Sequence, residues 1–191
     1  MRVTDADILI LPGYGNSEAD HWQSRWQTKL STARRVEIAD WQLASRRQWV
    51  DGLVTAVEAA TRPAIVVAHS LGVFATVHAA PRLAGKLAGA FLVGPSDWDR
   101  PELLPGVAHD FAPVPLLPLP FPSVVVASRN DPYCDFERAE AFAAAWGSEF
   151  VDAGESGHIN VDSGHGPWPE GLMRFAGFMQ KLGTPASSTQ V

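Results

Sequence analysis

The stretch that most constrains this chain is Val67-Ala68-His69-Ser70-Leu71-Gly72. Before it runs Ala64-Ile65-Val66-Val67, β-branched and apolar as a buried strand requires; after it runs Val73-Phe74-Ala75-Thr76-Val77-His78-Ala79-Ala80, a buried helix signal. Almost nothing separates the two, so Ser70 must sit on a very tight strand-to-helix turn. Such a turn is sterically crowded, and the residues two before and two after the serine have to be small; here they are Ala68 and Gly72. This is a nucleophile elbow with alanine in place of its first glycine. It predicts a hydroxyl held at the carboxyl edge of a sheet, with the first N–H groups of the following helix aimed at any anion forming beside it. Acyl transfer at a serine needs both.

The rest of the chain reads as alternating strands and helices, which favours a parallel sheet. Residues 6–11 read as a strand buried on both faces, and Pro12-Gly13-Tyr14-Gly15-Asn16 as the loop leaving its carboxyl end. Ser17 and Asp20 resemble a capping box, and Ala19, Trp22, Trp26 and Leu30 repeat at helical spacing, which predicts a helix over roughly 18–30 with both tryptophans in the core. His21 lies off that stripe and reads as a surface or loop-bracing histidine. A weak strand over 34–38, a helix from about Ser45 with Gln48 in the capping position, the elbow, and a strand over 87–93 follow. Strand 124–128, a helix over about 135–146, strand 149–152 and a helix over about 169–182 complete the pattern. Residues 95–122 break the rhythm: eight of the 15 prolines fall there, interleaved with Trp98, Phe111 and Phe121. A long connection of this kind either merely covers the sheet, its aromatics plugging the core's edge, or forms a wall or partial lid over the site, with Trp98, Phe111 and Phe121 then as candidate pocket residues.

With 191 residues, 46% of them hydrophobic, the chain is long enough for one domain, expected over 1–183, with a disordered tail over 184–191. A net charge of −6 without a basic run argues against nucleic acid as a partner, and no apolar run approaches the ~18 residues of a membrane helix. Cys134 is the single cysteine and the amino-terminal residues lack an apolar leader, so a reducing, cytoplasmic location is expected. Cys134 itself follows a proline-led turn and reads as an inert thiol. No Cys/His spacing matches a metal site, the trio His21, His158 and His165 included, and no cofactor is called for.

Three residues remain for the chemistry. Ser70, Asp131 and His158 occur in the order Ser, Asp, His, each on a loop leaving the carboxyl end of a different predicted strand, where open parallel sheets place their sites. The serine attacks a carbonyl, the imidazole accepts and returns the proton, and the carboxylate fixes the imidazole tautomer. Asp152 is the rival carboxylate, but it lies on the histidine's own connection, whereas Asp131 can approach from a neighbouring loop. The oxyanion donors expected are the backbone N–H groups of Leu71, after the nucleophile, and of Tyr14, in the loop leaving the first strand.

Leu11-Pro12-Gly13-Tyr14-Gly15, His21-Trp22 with Trp26, Ala68-His69-Ser70-Leu71-Gly72, Ser128-Arg129-Asn130-Asp131-Pro132-Tyr133 and Gly157-His158-Ile159-Asn160 together carry a family likeness over nearly the whole chain. On these segments the sequence resembles the small serine hydrolases related to retinoblastoma-binding protein nine. The resemblance implies an α/β-hydrolase fold: a mostly parallel central sheet with helices on both faces and no large cap domain, with the triad named above. One departure is Pro12-Gly13, where the wider superfamily commonly carries His-Gly. The expectation is a serine hydrolase of carboxylesterase type, acting on a small ester, thioester or amide. A catalytically weak interaction module on the same fold would tolerate loss of a triad member, and none is missing; haloalkane or epoxide chemistry would call for an aspartate at position 70.

Overall fold

The computed structural model describes residues 1–183, so the expected tail over 184–191 lies outside the described residues. Six strands form one sheet: β1 (Asp7–Leu11), β2 (Ala33–Arg35), β3 (Ala64–His69), β4 (Leu87–Val93), β5 (Ser123–Ala127) and β6 (Glu149–Asp152). Every pairing is parallel and the order is β2-β1-β3-β4-β5-β6. Five helices connect or flank them: α1 (Trp22–Lys29), α2 (Arg46–Glu58), α3 (Leu71–Leu83), α4 (Phe136–Trp146) and α5 (Pro169–Leu182).

Successive strand residues point to opposite faces, so β1, β3, β4 and β5 feed two cores at once and read as unbroken apolar runs. Leu9, Val66, Leu92 and Val125 face α2, α3 and α4, where Trp49, Phe74 and Phe142 fill the layer. Ile10, Val67, Phe91 and Val126 face α1 and α5, against Trp22, Trp26, Phe175 and Phe178. This is the three-layer α/β-hydrolase architecture. Its longest connection, from β4 to β5, holds a single 3₁₀ turn at Pro101–Leu103 and is otherwise coil.

Two elements differ from the sequence reading. The helix expected over 18–30 begins only at Trp22, because His21 takes the N-cap: its Nδ1 accepts from the Gln23 N–H at 3.2 Å. Ser17 instead donates to the Gln23 side chain (2.9 Å), and Asp20 pairs with Arg25 (2.8 Å). The strand expected over 34–38 is confined to Ala33–Arg35, since Val36 and Ile38 turn down into the core. A third difference concerns the capping of α2. Its first N–H is held by Asp110, while Gln48 reaches back to the Asp40 carbonyl. The β4–β5 connection is therefore docked across the start of α2, where Ala44 and His109 also form a bridge.

Candidate active site

Leaving β3, the chain turns through Ser70 at φ 54°, a left-handed conformation that costs a non-glycine residue roughly 1–3 kcal/mol and persists only when its surroundings impose it. They do so here from both sides. The Ser70 N–H donates to the Val93 carbonyl at the end of β4 (3.1 Å), and α3 starts at the next residue. Gly72 lets that helix start lie against the β1 exit, for a Cβ there would fall 2.5 Å from the Leu11 carbonyl oxygen. Gly13 brings the same loop against the serine; a Cβ on it would lie 2.7 Å from Ser70 Cβ. The N–H groups of Leu71 and Tyr14 thus belong to two segments packed around Ser70, and neither takes part in a hydrogen bond among the described residues.

His158 stands on the loop after β6, and hydrogen bonds on either side of the histidine hold that loop in place. His69 Nε2 donates to the His158 carbonyl (2.9 Å), Trp22 Nε1 to the Ile159 carbonyl (2.9 Å), and the Gly157 N–H to Asn130 Oδ1 (2.7 Å). The imidazole lies edge-on to the Tyr133 ring, with centroids 4.6 Å apart. Its Nδ1 meets both carboxylate oxygens of Asp131, at 2.9 and 3.0 Å. Asp131, on the loop after β5, also accepts from the Tyr133 N–H (2.9 Å), which orients the carboxylate. An ionised carboxylate only accepts, so Nδ1 carries the proton and Nε2 presents a lone pair. Asp152 is turned away, paired with Arg129 at 2.6 Å, and that guanidinium holds its carboxyl below the usual range.

Ser70 and His158 line one cavity of about 420 Å³, together with Gly13, Tyr14, His21, Trp98 and Tyr133. Ser70 Oγ is bonded not to His158 but to Ser96 Oγ, at 3.2 Å. Trp98 lines this cavity; Phe111 and Phe121 do not. Phe111 is fully buried behind Trp98, with ring centroids 5.6 Å apart, and Phe121 packs into the core on the α2–α4 side. Besides Trp98, the β4–β5 connection presents Leu104, Pro105 and Val107 to the cavity. Cys134 is buried and its thiol is pushed up by burial, away from the reactive thiolate.

His21 is not a surface residue. It is buried in the cavity wall, with its ring 5.0 Å from His69, and burial, reinforced by Arg35 and His158, pushes its pKa down to about 3. His69, Ser96 and Gln23 were not singled out by sequence. Gln23 is fully buried and its side-chain amide donates to the Leu11 and Val67 carbonyls (3.2 and 3.1 Å), tying the ends of β1 and β3 together beside the elbow. The one available signal for Ser96 was its place in Gly94-Pro95-Ser96, directly after a strand's carboxyl end.

A family model described as serine hydrolase matches residues 8–177. A protein described as a YdeN-like hydrolase, from Pectobacterium atrosepticum, is 34% identical with a TM-score of 0.84, covering 94% of this chain and 93% of its own. The ydeN gene product of B. subtilis is 19% identical with a TM-score of 0.70, over 91% and 98% of the two chains. A thermophilic esterase from Thermogutta terrifontis is 16% identical with a TM-score of 0.65, over 93% and 90%. At such identities the last two are likenesses of fold. No curated protein matches the chain.

Proposed function

Since the chain belongs to the serine hydrolase family, we propose that it cleaves small ester-type substrates through a Ser70–His158–Asp131 triad and an acyl-enzyme intermediate. The observation that carries this reading is the 2.9 Å pairing of His158 Nδ1 with Asp131 in the cavity that holds Ser70. As Ser70 Oγ attacks the carbonyl carbon, His158 Nε2 takes its proton, and Asp131 stabilises the imidazolium. The oxyanion is received by the N–H groups of Leu71 and Tyr14, which other chain groups leave free. The alcohol departs with the proton from His158, and water repeats the sequence on the acyl-enzyme. With substrate in place the Ser70 hydroxyl proton turns to His158 Nε2, since catalytic hydrogen bonds commonly tighten only in the complex.

The cavity size suits a small acyl group and alcohol. Its lining carries the acidic Glu18 and Asp162 and no lysine or arginine. That balance favours neutral or cationic esters over leaving groups that bear phosphate. A reducing, cytoplasmic setting belongs to the same reading, supported by a single, buried cysteine.

The test is labelling by a fluorophosphonate with mass mapping to Ser70, beside ester turnover by Ser70→Ala. The variant should fold and lose at least ~10³-fold in kcat, because removing the nucleophile forfeits the advantage of the whole triad. A folded Ser70→Ala protein that hydrolyses esters near the wild-type rate overturns the proposal.

A further inference from the structure

We propose that Ser96 is a further catalytic residue: its hydroxyl donates a hydrogen bond to Ser70 Oγ, leaving the nucleophile's own proton for His158. The inference rests on the reading of Ser70 as nucleophile. Ser96 is fully buried, three residues beyond β4. Gly94 turns the chain there at φ 55°, where a side chain would be strained and its Cβ would meet the His158 carbonyl at 3.3 Å. The Asp97 N–H then anchors the segment on the Tyr133 carbonyl (2.8 Å). Ser96 Oγ is left with two partners, Trp98 Nε1 at 3.1 Å and Ser70 Oγ at 3.2 Å.

Donor inventory decides the direction. An indole N–H only donates, so Ser96 Oγ accepts from Trp98. The serine has one proton of its own, and Ser70 Oγ is the acceptor within reach among the described residues. The reverse arrangement, Ser70 donating to Ser96, would leave a fully buried hydroxyl proton without an acceptor, which folded proteins avoid. Trp98 therefore acts as a positioning residue, setting which way the Ser96 hydroxyl points. Ser70 Oγ accepts on one lone pair and keeps the other for the carbonyl carbon. Negative charge gathers on Oγ as its proton moves to His158, and again as Oγ leaves during deacylation; in both steps the Ser96 hydroxyl stabilises it.

The experiment compares fluorophosphonate labelling rates of the wild type, Ser96→Ala, Ser96→Cys, Trp98→Phe and the double variant Ser96→Ala/Trp98→Phe. In this reaction the Ser70 Oγ–P bond forms, the P–F bond breaks, fluoride departs and the hydroxyl proton passes to His158. Ser96→Ala should label roughly threefold to tenfold more slowly, the worth of one neutral hydrogen bond, and kcat for a short ester should fall by the same factor with KM unchanged. Ser96→Cys keeps the volume but offers a poor donor, so it should match alanine and covers the case in which Ser96→Ala does not fold. Trp98→Phe should lose less, and the double variant should be no slower than Ser96→Ala, because the indole acts through that hydroxyl. A folded Ser96 variant labelling at the wild-type rate, or additive losses in the double variant, overturns the inference. If the wild type is not labelled at Ser70, the nucleophile reading falls and this inference with it; a labelled wild type with unaffected Ser96 variants removes this inference alone.

Discussion

At the scale of single residues, the site is built by one serine in a disfavoured conformation and one glycine that leaves it room. Ser70 at φ 54° is held by the β4 carbonyl and the start of α3, while a Cβ at Gly13 would enter the van der Waals radius of Ser70 itself. The carboxylate beyond the imidazole is equally constrained. Asp131 Oδ1 accepts from the Tyr133 N–H, and both oxygens face His158 Nδ1. In Asp131→Asn the amide oxygen keeps the Tyr133 bond, so its NH₂ is turned towards Nδ1 and moves the imidazole proton to Nε2, where it blocks uptake of the serine proton. Under the triad proposal, kcat should drop by roughly 10³- to 10⁴-fold with the fold retained, checked by ester turnover beside thermal melting. Near-normal turnover would assign the carboxylate role elsewhere.

At the scale of elements, α1 is the instructive case. Its first turn is capped by a histidine whose imidazole accepts from the Gln23 N–H, and the same ring lies in the cavity wall against His69. Burial lowers the pKa of His21 from 6.5 to about 3. The unfolded chain therefore binds a proton at this position that the folded chain refuses, and stability, complete above pH 6.5, falls as the pH drops towards 3. The slope from this one group reaches about 1.4 kcal/mol per pH unit. His69, buried beside it and lowered for the same reason, adds a loss of the same sign. His21→Asn keeps an N-cap acceptor but cannot titrate, so urea unfolding between pH 6.5 and 4 should show a shallower acid slope. An unchanged slope would show that His21 does not contribute to acid lability.

At the scale of the whole molecule, the proline-rich β4–β5 connection is both a wall of the cavity and a brace across α2. It reaches the cavity through Trp98, Leu104 and Val107, and the start of α2 through Asp110. Phe111 stands behind this wall, edge-on to His78 with its carbonyl accepting from the His78 ring at 2.8 Å. Phe111→Ala should therefore cost about 3–5 kcal/mol of stability and leave the acyl-chain preference unchanged. Leu104→Ala, on the cavity side, should raise relative activity on longer acyl chains with little loss in melting temperature. Melting curves and an ester chain-length series on each variant separate the two roles, and a profile shift in Phe111→Ala would return that ring to the pocket.

Much of this was legible in the chain alone. Strand and helix periods placed every strand of the sheet, and the crowded Ala68-His69-Ser70-Leu71-Gly72 turn required the elbow, because such signals are local and are imposed by neighbours a few residues apart. The order of Ser70, Asp131 and His158 on carboxyl-end loops followed from the same alternation. Only the tertiary structure decided which side chains stand behind them. Ser96 reaches Ser70 across 26 residues and His69 holds the His158 carbonyl across 89, and neither contact leaves a periodic trace. The start of α1 at Trp22 was decided likewise, for Ser17 lost the capping role to His21 once Gln23 claimed its hydroxyl. Phe111 and Phe121 read the same as Trp98 in a proline-rich run; which aromatic faces the cavity and which fills the core depends on the helices packed beneath, α2 to α4, and so on the fold as a whole.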